Sequence, residues 1–454
     1  MWPFDASRGL VAPECIEHNQ LHLKPWDALF RVAILVCLLA SLYLSFRLHL
    51  FHPLLHVAKE HRWTRFIVHP GILWMLMGLL MLLFRTLLWF RYRTPDSATF
   101  DSAPPLTVII PAYNEGPMVA QSIDSVATAH YPHDRLEIFV VDDGSHDDTW
   151  QHIEAAALRH PDLVTTLRFP QNRGKRAALE AGFRKARGEV VVTIDSDSVI
   201  DRGALLAMAG PFRDPKVGAV AGKVTVHNCG DGLIPRMLKV RYALSFDYLR
   251  AVQSTYGTVY CCPGALAGYR TSVVRQVLDL WMNQKFFGVA CTYGEDRSMT
   301  NYILNAGYDT VYQRAAIVHT MVPHRYKKLC MMFLRWDRSY IREELRFAWI
   351  VWKRPPVSRF IALTDFFVTN LRYPVSWIAL VLLVAIIIWH PVLLVRFLFF
   401  IGLMACINML YYLRSERSWD FVYGIFYAYY SAFTLFWIFP YAIITVRAKS
   451  WLTR

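Results

Sequence analysis

The stretch LTVIIPAYNEG at 106–116 is followed by FVVDDGS at 139–145, NRGKRAA at 172–178 and VVTIDSDS at 191–198. Each acidic pair comes directly after an apolar, β-branched run, the pattern of a buried parallel strand, so the carboxylates gather where strands end. Open α/β sheets bind their ligands at that edge. The four pieces, in this order, point to a nucleotide diphosphate held through a metal.

Outward from this core the chain turns apolar. It is 55% hydrophobic and 19% charged over 454 residues, a balance that leans towards membrane proteins. Charge-free runs lie at 32–46, 66–84, 373–389, 397–413 and 421–446, where a bilayer span needs roughly 20 mostly apolar residues. Between the second and third runs, 102–354 alternates strand-like and helix-like patterns, as a catalytic α/β domain would. The expected organisation is an N-terminal tail (1–28), two transmembrane helices (29–93), the α/β domain (102–354), an interfacial helix (355–372), further transmembrane helices (373–447) and a terminal segment (448–454). No signal peptide is expected, so the first run stays as an anchor.

The formal charge is +14, yet its Lys and Arg cluster beside apolar runs, as at Arg91, Arg93, Lys353, Arg354, Arg359, Arg414, Arg417, Arg447 and Lys449. Positive-inside flanking of helices explains this, and a nucleic-acid partner is not expected. Lys59, Arg62 and Arg65 run against that pattern, so the cytosolic placement of the domain rests on its need for nucleotide sugars. The run 421–446 contains Pro440 and has basic residues on both sides. It is expected as a hairpin of two short helices, giving six crossings; a single tilted helix would give five. The eight cysteines show no zinc spacing, which suits a reduced cytosolic domain.

Asp195 and Asp197 form a DxD behind VVVTI, placed to hold Mg²⁺ or Mn²⁺ through oxygen ligands and so neutralise a departing diphosphate. Alone, such a pair also caps helices. Asp143, after EIFVV, is placed to accept hydrogen bonds from a nucleobase or ribose. Lys175 and Arg176 stand at a helix start behind a glycine, where N–H groups and cations suit phosphate. In CTYGEDRSMTN (291–301) Asp296 is a candidate general base, flanked by Glu295 and Arg297. In LRWDRSYIREE, Arg335 pairs with diphosphate and Trp336 stacks on a sugar, or else anchors the chain at an interface.

With RMLKVRY, CCPGALAGYR, NQKFFGVACTYGEDRSMTNY, the RW pair and the terminal SWLTR added, nearly the whole chain resembles the processive, membrane-embedded family 2 glycosyltransferases. Within them it looks most like hyaluronan synthases, then chitin synthases and nodulation chitooligosaccharide synthases. The resemblance implies a GT-A-type domain. It implies that Asp143 contacts uridine, Lys175 diphosphate, Asp195 and Asp197 nucleotide and metal, and that Asp296 is the base. Trp336 would cap the acceptor sugar beside Cys262, Gly264, Glu295 and Arg297, while Arg335 binds pyrophosphate. Trp451, Thr453 and Arg454 match a segment that closes over the nucleotide.

Three positions limit the resemblance: Met332 stands where Gln is usual, Glu295 makes GED of the GDD usual in hyaluronan synthases, closer to chitin synthases, and Leu452 replaces the glycine of WGTR. Met332 cannot hydrogen-bond as an amide does. The expected activity is polymerisation of a UDP-sugar with inversion, the growing polysaccharide leaving through the chain's own membrane channel. The competing expectations are single-sugar transfer to a polyprenyl phosphate and a non-catalytic membrane partner descended from a synthase.

Overall fold

The computed structural model describes residues 24–47, 65–389 and 392–448. Its centre is an eight-stranded mixed sheet. The strands are β1 (Leu106–Ala112), β2 (Leu136–Asp142), β3 (Val164–Arg168), β4 (Val190–Thr193), β5 (Ser198–Ile200), β6 (Val217–Val226), β7 (Ala267–Arg270) and β10 (Asp309–Thr320), and β8 (Lys285–Phe286) pairs with β9 (Val289–Ala290) in a separate hairpin. The order is β3-β2-β1-β4-β7-β6-β10-β5. β1 runs parallel to β2 and β4, whereas β7 is antiparallel to both β4 and β6.

β1 is buried along its whole length, which is why its sequence reads as a continuous apolar run. Val108 and Ile110 pack on one side of the sheet with Ile123, Ile138 and Val140, while Ile109 faces Leu179, Phe183 and Trp281 on the other. The register aligns the C-terminal ends: Ala112 pairs with Asp142, and Ile109 with Thr193. All three acidic loops therefore open on one edge.

Only 194–197 joins β4 to β5, although four strand spacings separate them in the sheet order. Four spacings in a flat sheet are about 19 Å, and five peptide steps reach at most about 18 Å. The sheet must curl, and the curl carries Asp195 and Asp197 across the mouth of the site.

Helices Lys24–Arg47, Arg65–Arg91, Pro356–Trp389, Val392–Glu416, Phe421–Thr434 and Ile438–Ile444 accompany this domain. Two expectations need correction here. The interfacial helix 355–372 and the run 373–389 are one continuous helix with Pro374 inside it. The last two helices bend by 47°, which does not reverse the chain, so the expected hairpin is not formed. Among the described residues no single helix is long and apolar enough to cross a membrane; that bent pair passes by length and composition.

The segment Leu233–Tyr242, a π-helical turn Ala243–Tyr248 and Leu249–Ser254 fasten the domain to the helices. Leu238 and Tyr242 enter the sheet core, while Val240 packs with Met409 and Tyr412. Lys239 pairs with Asp420 at 2.7 Å, and Arg236 and Arg241 donate to Tyr423 and Tyr427 at 2.6 and 3.2 Å. Arg85 pairs with Asp365 at 2.6 Å, tying Arg65–Arg91 to Pro356–Trp389.

At Gly188, just before β4, a Cβ would sit 2.6 Å from the Thr107 backbone nitrogen of β1. Strand backbone yields little, so Gly188→Ala should destabilise the domain by about 1–3 kcal/mol. A lowered thermal midpoint for the purified protein is the expected result.

Candidate active site

The strand ends open into a cavity of about 2460 Å³. Asp143 forms part of its wall, and its carboxylate accepts from the Arg173 and Gly174 amides at 2.7 and 2.8 Å. Burial pushes its pKa up, against the pull of those two N–H groups. Its local task is thus to hold the NRGK loop against β2. The neighbouring Asp142 is fully buried and accepts from the Ser145 amide at 3.0 Å, which makes it a turn residue.

Lys175 opens the helix Lys175–Lys185 behind Gly174. Its ammonium bonds to Asp195 and lies 3.2 Å from Glu295 Oε1. Burial alone would lower its pKa, but Asp195, Glu295 and Asp296 together hold it well above the usual lysine range. Gly264 leaves the room this pair needs: a Cβ there would lie 3.1 Å from Lys175 Nζ. Arg176 also borders the cavity, but its guanidinium is engaged by its neighbours. Its guanidinium donates to Trp281 O at 2.7 Å and Gln284 at 3.2 Å and stacks over the Trp281 ring, so it locks this helix to its neighbour.

Asp197 receives Ser198 and Thr320 hydroxyls at 3.2 and 3.3 Å. Burial, then the Asp195 charge, pushes its pKa up to about 6.

Asp296 and Glu295 begin the helix Glu295–Asn305. Gly294, at φ 75°, fits them against the helix Tyr326–Ile350, where a Cβ would meet Ser339 Oγ at 1.9 Å. Asp296 accepts from the Arg297 amide at 2.7 Å and the Gly264 amide at 3.4 Å, with Cys261 Sγ at 3.5 Å. Burial raises its pKa, and the Glu295 charge adds to this. Burial would also raise Glu295, but Lys175 foremost, with Arg335 contributing, draws it below its usual value. Two adjacent carboxyls are driven apart, the mark of divided acid–base roles.

Cys262 is a second correction. Its side chain is fully buried and its amide donates to Thr300 at 3.0 Å, whereas Cys261 is the cysteine bordering the cavity. Arg297 also borders it, paired with Glu344 at 2.7 Å. Arg335 and Trp336 line the wall, and Trp336 is set in an aromatic cluster with Phe333, Tyr242 and Phe246 at 5.7, 6.1 and 6.2 Å. Met332 borders the cavity too and otherwise packs into the core. Trp451, Thr453 and Arg454 lie outside the described residues. Tyr293 donates to Ala448 O at 2.9 Å, and Arg447 sits over Phe287 of the β8–β9 turn, so the described C-terminus ends beside the Gly-Glu-Asp turn.

Sequence reasoning missed Glu344, Arg250 and Asp337, all of which border the cavity. Arg250 is 8% exposed, donates to Gln253 at 2.9 Å and follows the π-helical turn. A π-turn leaves no reliable mark in a sequence, although such turns recur at functional sites. Glu344 and Asp337 read as one face of a charged helix, and no motif separates them from solvated neighbours.

The sequence profile described as Glycosyl transferase family 2 matches residues 107–278. An N-acetylglucosaminyltransferase of Rhizobium meliloti (strain 1021) is 33% identical over 358 residues, 77% of this chain and 82% of that protein. A hyaluronan synthase of Streptococcus pyogenes is 35% identical over 245 residues, covering 53% and 58%. A mannosyltransferase from Pyrobaculum calidifontis, solved with GDP-Man and Mn²⁺, superposes with a TM-score of 0.56 at 22% identity, over 80% of this chain and 99% of that one, which shows a shared GT-A-type α/β fold. With the profile ending short of Asp296 and the rhizobial relative spanning most of both chains, the protein belongs to glycosyl transferase family 2 and is a glycosyltransferase.

Proposed function

We propose that the enzyme is a processive inverting β-glycosyltransferase that polymerises UDP-N-acetylglucosamine, with or without UDP-glucuronic acid, and exports the polymer through its own helices. The observation that carries this reading is the continuity of the cavity. From Asp195 and Asp296 it passes Trp336 and reaches Arg85, Asp365, Thr369, Asn370 and Tyr373 on the accompanying helices. That far wall is polar and ordered: Asn370 donates to Glu344 at 3.1 Å and accepts from Tyr340 at 3.0 Å. A hydroxyl-rich chain suits such a wall, whereas a polyprenyl acceptor would call for an apolar one. The names of the rhizobial relatives support N-acetylglucosamine as the donor sugar.

In this reading Asp296 takes the proton of the acceptor hydroxyl, whose oxygen attacks the anomeric carbon as the bond to UDP breaks. One displacement inverts the α-linked donor to a β-linkage. Lys175, at a helix N-terminus, faces the leaving diphosphate. Among the described residues no group of three or more His, Cys, Asp or Glu is set to hold a metal. The Asp195–Asp197 pair, with Asp197 raised by burial and then by its neighbour, still fits Mg²⁺ or Mn²⁺, which bind through one or two carboxylates plus substrate phosphate and water. Bound there, the cation would offset the charge of the departing UDP.

A lipid bilayer is the remaining partner. Val32, Val36, Leu39 and Tyr43 form an exposed stripe along Lys24–Arg47, and Trp349, Trp352, Val357 and Phe360 are exposed beside Arg346, Lys353 and Arg359. Apolar faces of this size favour an apolar surrounding, with basic residues at the headgroups. We assign the protein to the cell membrane as a multi-pass enzyme whose catalytic domain is cytosolic.

Purified enzyme should release UDP from UDP-N-acetylglucosamine in the presence of Mg²⁺ or Mn²⁺ and yield polymer. If only a single sugar is transferred, or only to a lipid phosphate, the reading fails; a need for two donors together identifies a copolymer. Asp296→Asn should lower turnover about 10²–10⁴-fold with an unchanged melting curve. Since the base must be ionised and its pKa is raised, the acid limb of kcat/KM should lie above the ordinary aspartate value of about 3.9. Asp197→Asn should raise the metal concentration for half-maximal UDP release, and chelation should stop the reaction in both proteins.

A further inference from the structure

Asp337 follows Trp336 on the helix Tyr326–Ile350 and borders the same cavity as Arg241, Tyr242, Ser245 and Tyr373. The other deep carboxylates there are engaged. Asp143 and Asp296 are held by backbone amides, Asp195 and Glu295 by Lys175, Glu344 by Arg297 and Asn370, and Asp365 by Arg85. Asp337, recessed in the wall, has no hydrogen bond or ion pair among the described residues. Only the charge of Arg241 acts on it, from beyond pairing distance, and Arg241 donates its Nε to Tyr427 Oη at 3.2 Å. Burial pushes the Asp337 carboxyl up to about 7. A recessed carboxyl without a partner leaves acceptor capacity unfilled, a cost that a ligand donor removes.

We propose that Asp337 is a specificity residue of the acceptor path: it accepts hydroxyl or amide N–H groups from the sugar behind the Trp336 stack and restricts that position to uncharged sugars. This deepens, and rests on, the reading of the cavity as the path of a growing glycan. Neutral sugars and N-acetylhexosamines bring the donors that a carboxylate lacks. A uronate brings its own carboxylate into a recess where only Arg241 acts by charge on Asp337; two carboxyls so placed cannot both stay ionised, a cost that neutral sugars do not carry. Arg335 is adjacent in sequence, but its charge acts on Glu295 and Tyr242 and not on Asp337. The substrate class implied is an N-acetylhexosamine homopolymer, in preference to an alternating uronate copolymer.

The test uses the full-length enzyme in detergent with UDP-N-acetylglucosamine. The acceptors are an N-acetylglucosamine hexamer and an alternating glucuronate–N-acetylglucosamine hexamer of the same length. Wild type should extend the neutral hexamer with a kcat/KM about tenfold or more above the alternating one. Asp337→Asn should narrow the ratio to within about threefold, chiefly through KM, while circular dichroism and melting report its fold. Equal use of both hexamers by wild type overturns the proposal without any variant, and so does an unaltered ratio in folded Asp337→Asn. If wild type releases UDP but extends neither hexamer, the glycan-path reading itself falls, and this proposal with it. That outcome is distinct from extension without discrimination.

Discussion

The ammonium of Lys175 is the point on which the site depends. Four carboxyls, Asp195, Asp197, Glu295 and Asp296, converge where the strands end, and removing each from water costs several kcal/mol unless it is compensated. Lys175 joins the first pair to the second by contacting Asp195 and Glu295 at once. That bridge keeps Glu295 ionised and leaves Asp296, held mainly by amides, with a raised pKa. The base is therefore defined by what its neighbour already binds.

Three separate pieces of backbone make this possible. Asp143 holds the loop that begins the Lys175 helix, the curl of the sheet swings Asp195 and Asp197 over it, and Gly294 lets the Glu295 helix close against the helix that carries Trp336. Glu295 spans to Lys175 across 3.2 Å. On the far side, Tyr242 both fills the sheet core and packs against Trp336. Acceptor wall and domain core are thus one packed unit, which links the helices to the site.

Much of this was legible in the chain itself. Apolar runs ending in acidic residues located β1, β2 and β4, and a glycine before Lys-Arg located the helix that begins at Lys175, because strand burial and helix starts are written locally. Lys175 and Arg176, alike in the sequence, differ in space, since consecutive helical residues point about 100° apart and the second of them meets Trp281. Cys262 was misjudged for a similar reason. Alternation sent one thiol to the cavity and the other into the core.

Local pattern and charge pointed to a nucleotide diphosphate site at the strand ends and a candidate base at Asp296, because those signals lie within a few residues of one another. The tertiary structure alone decided which cation serves the carboxylates, that 356–389 is one helix, and that Arg250, Asp337 and Glu344 share a wall with Asp296. The contacts among them join segments as far apart as Lys175 and Glu295, and side-chain direction at such contacts follows from packing, which local sequence does not encode.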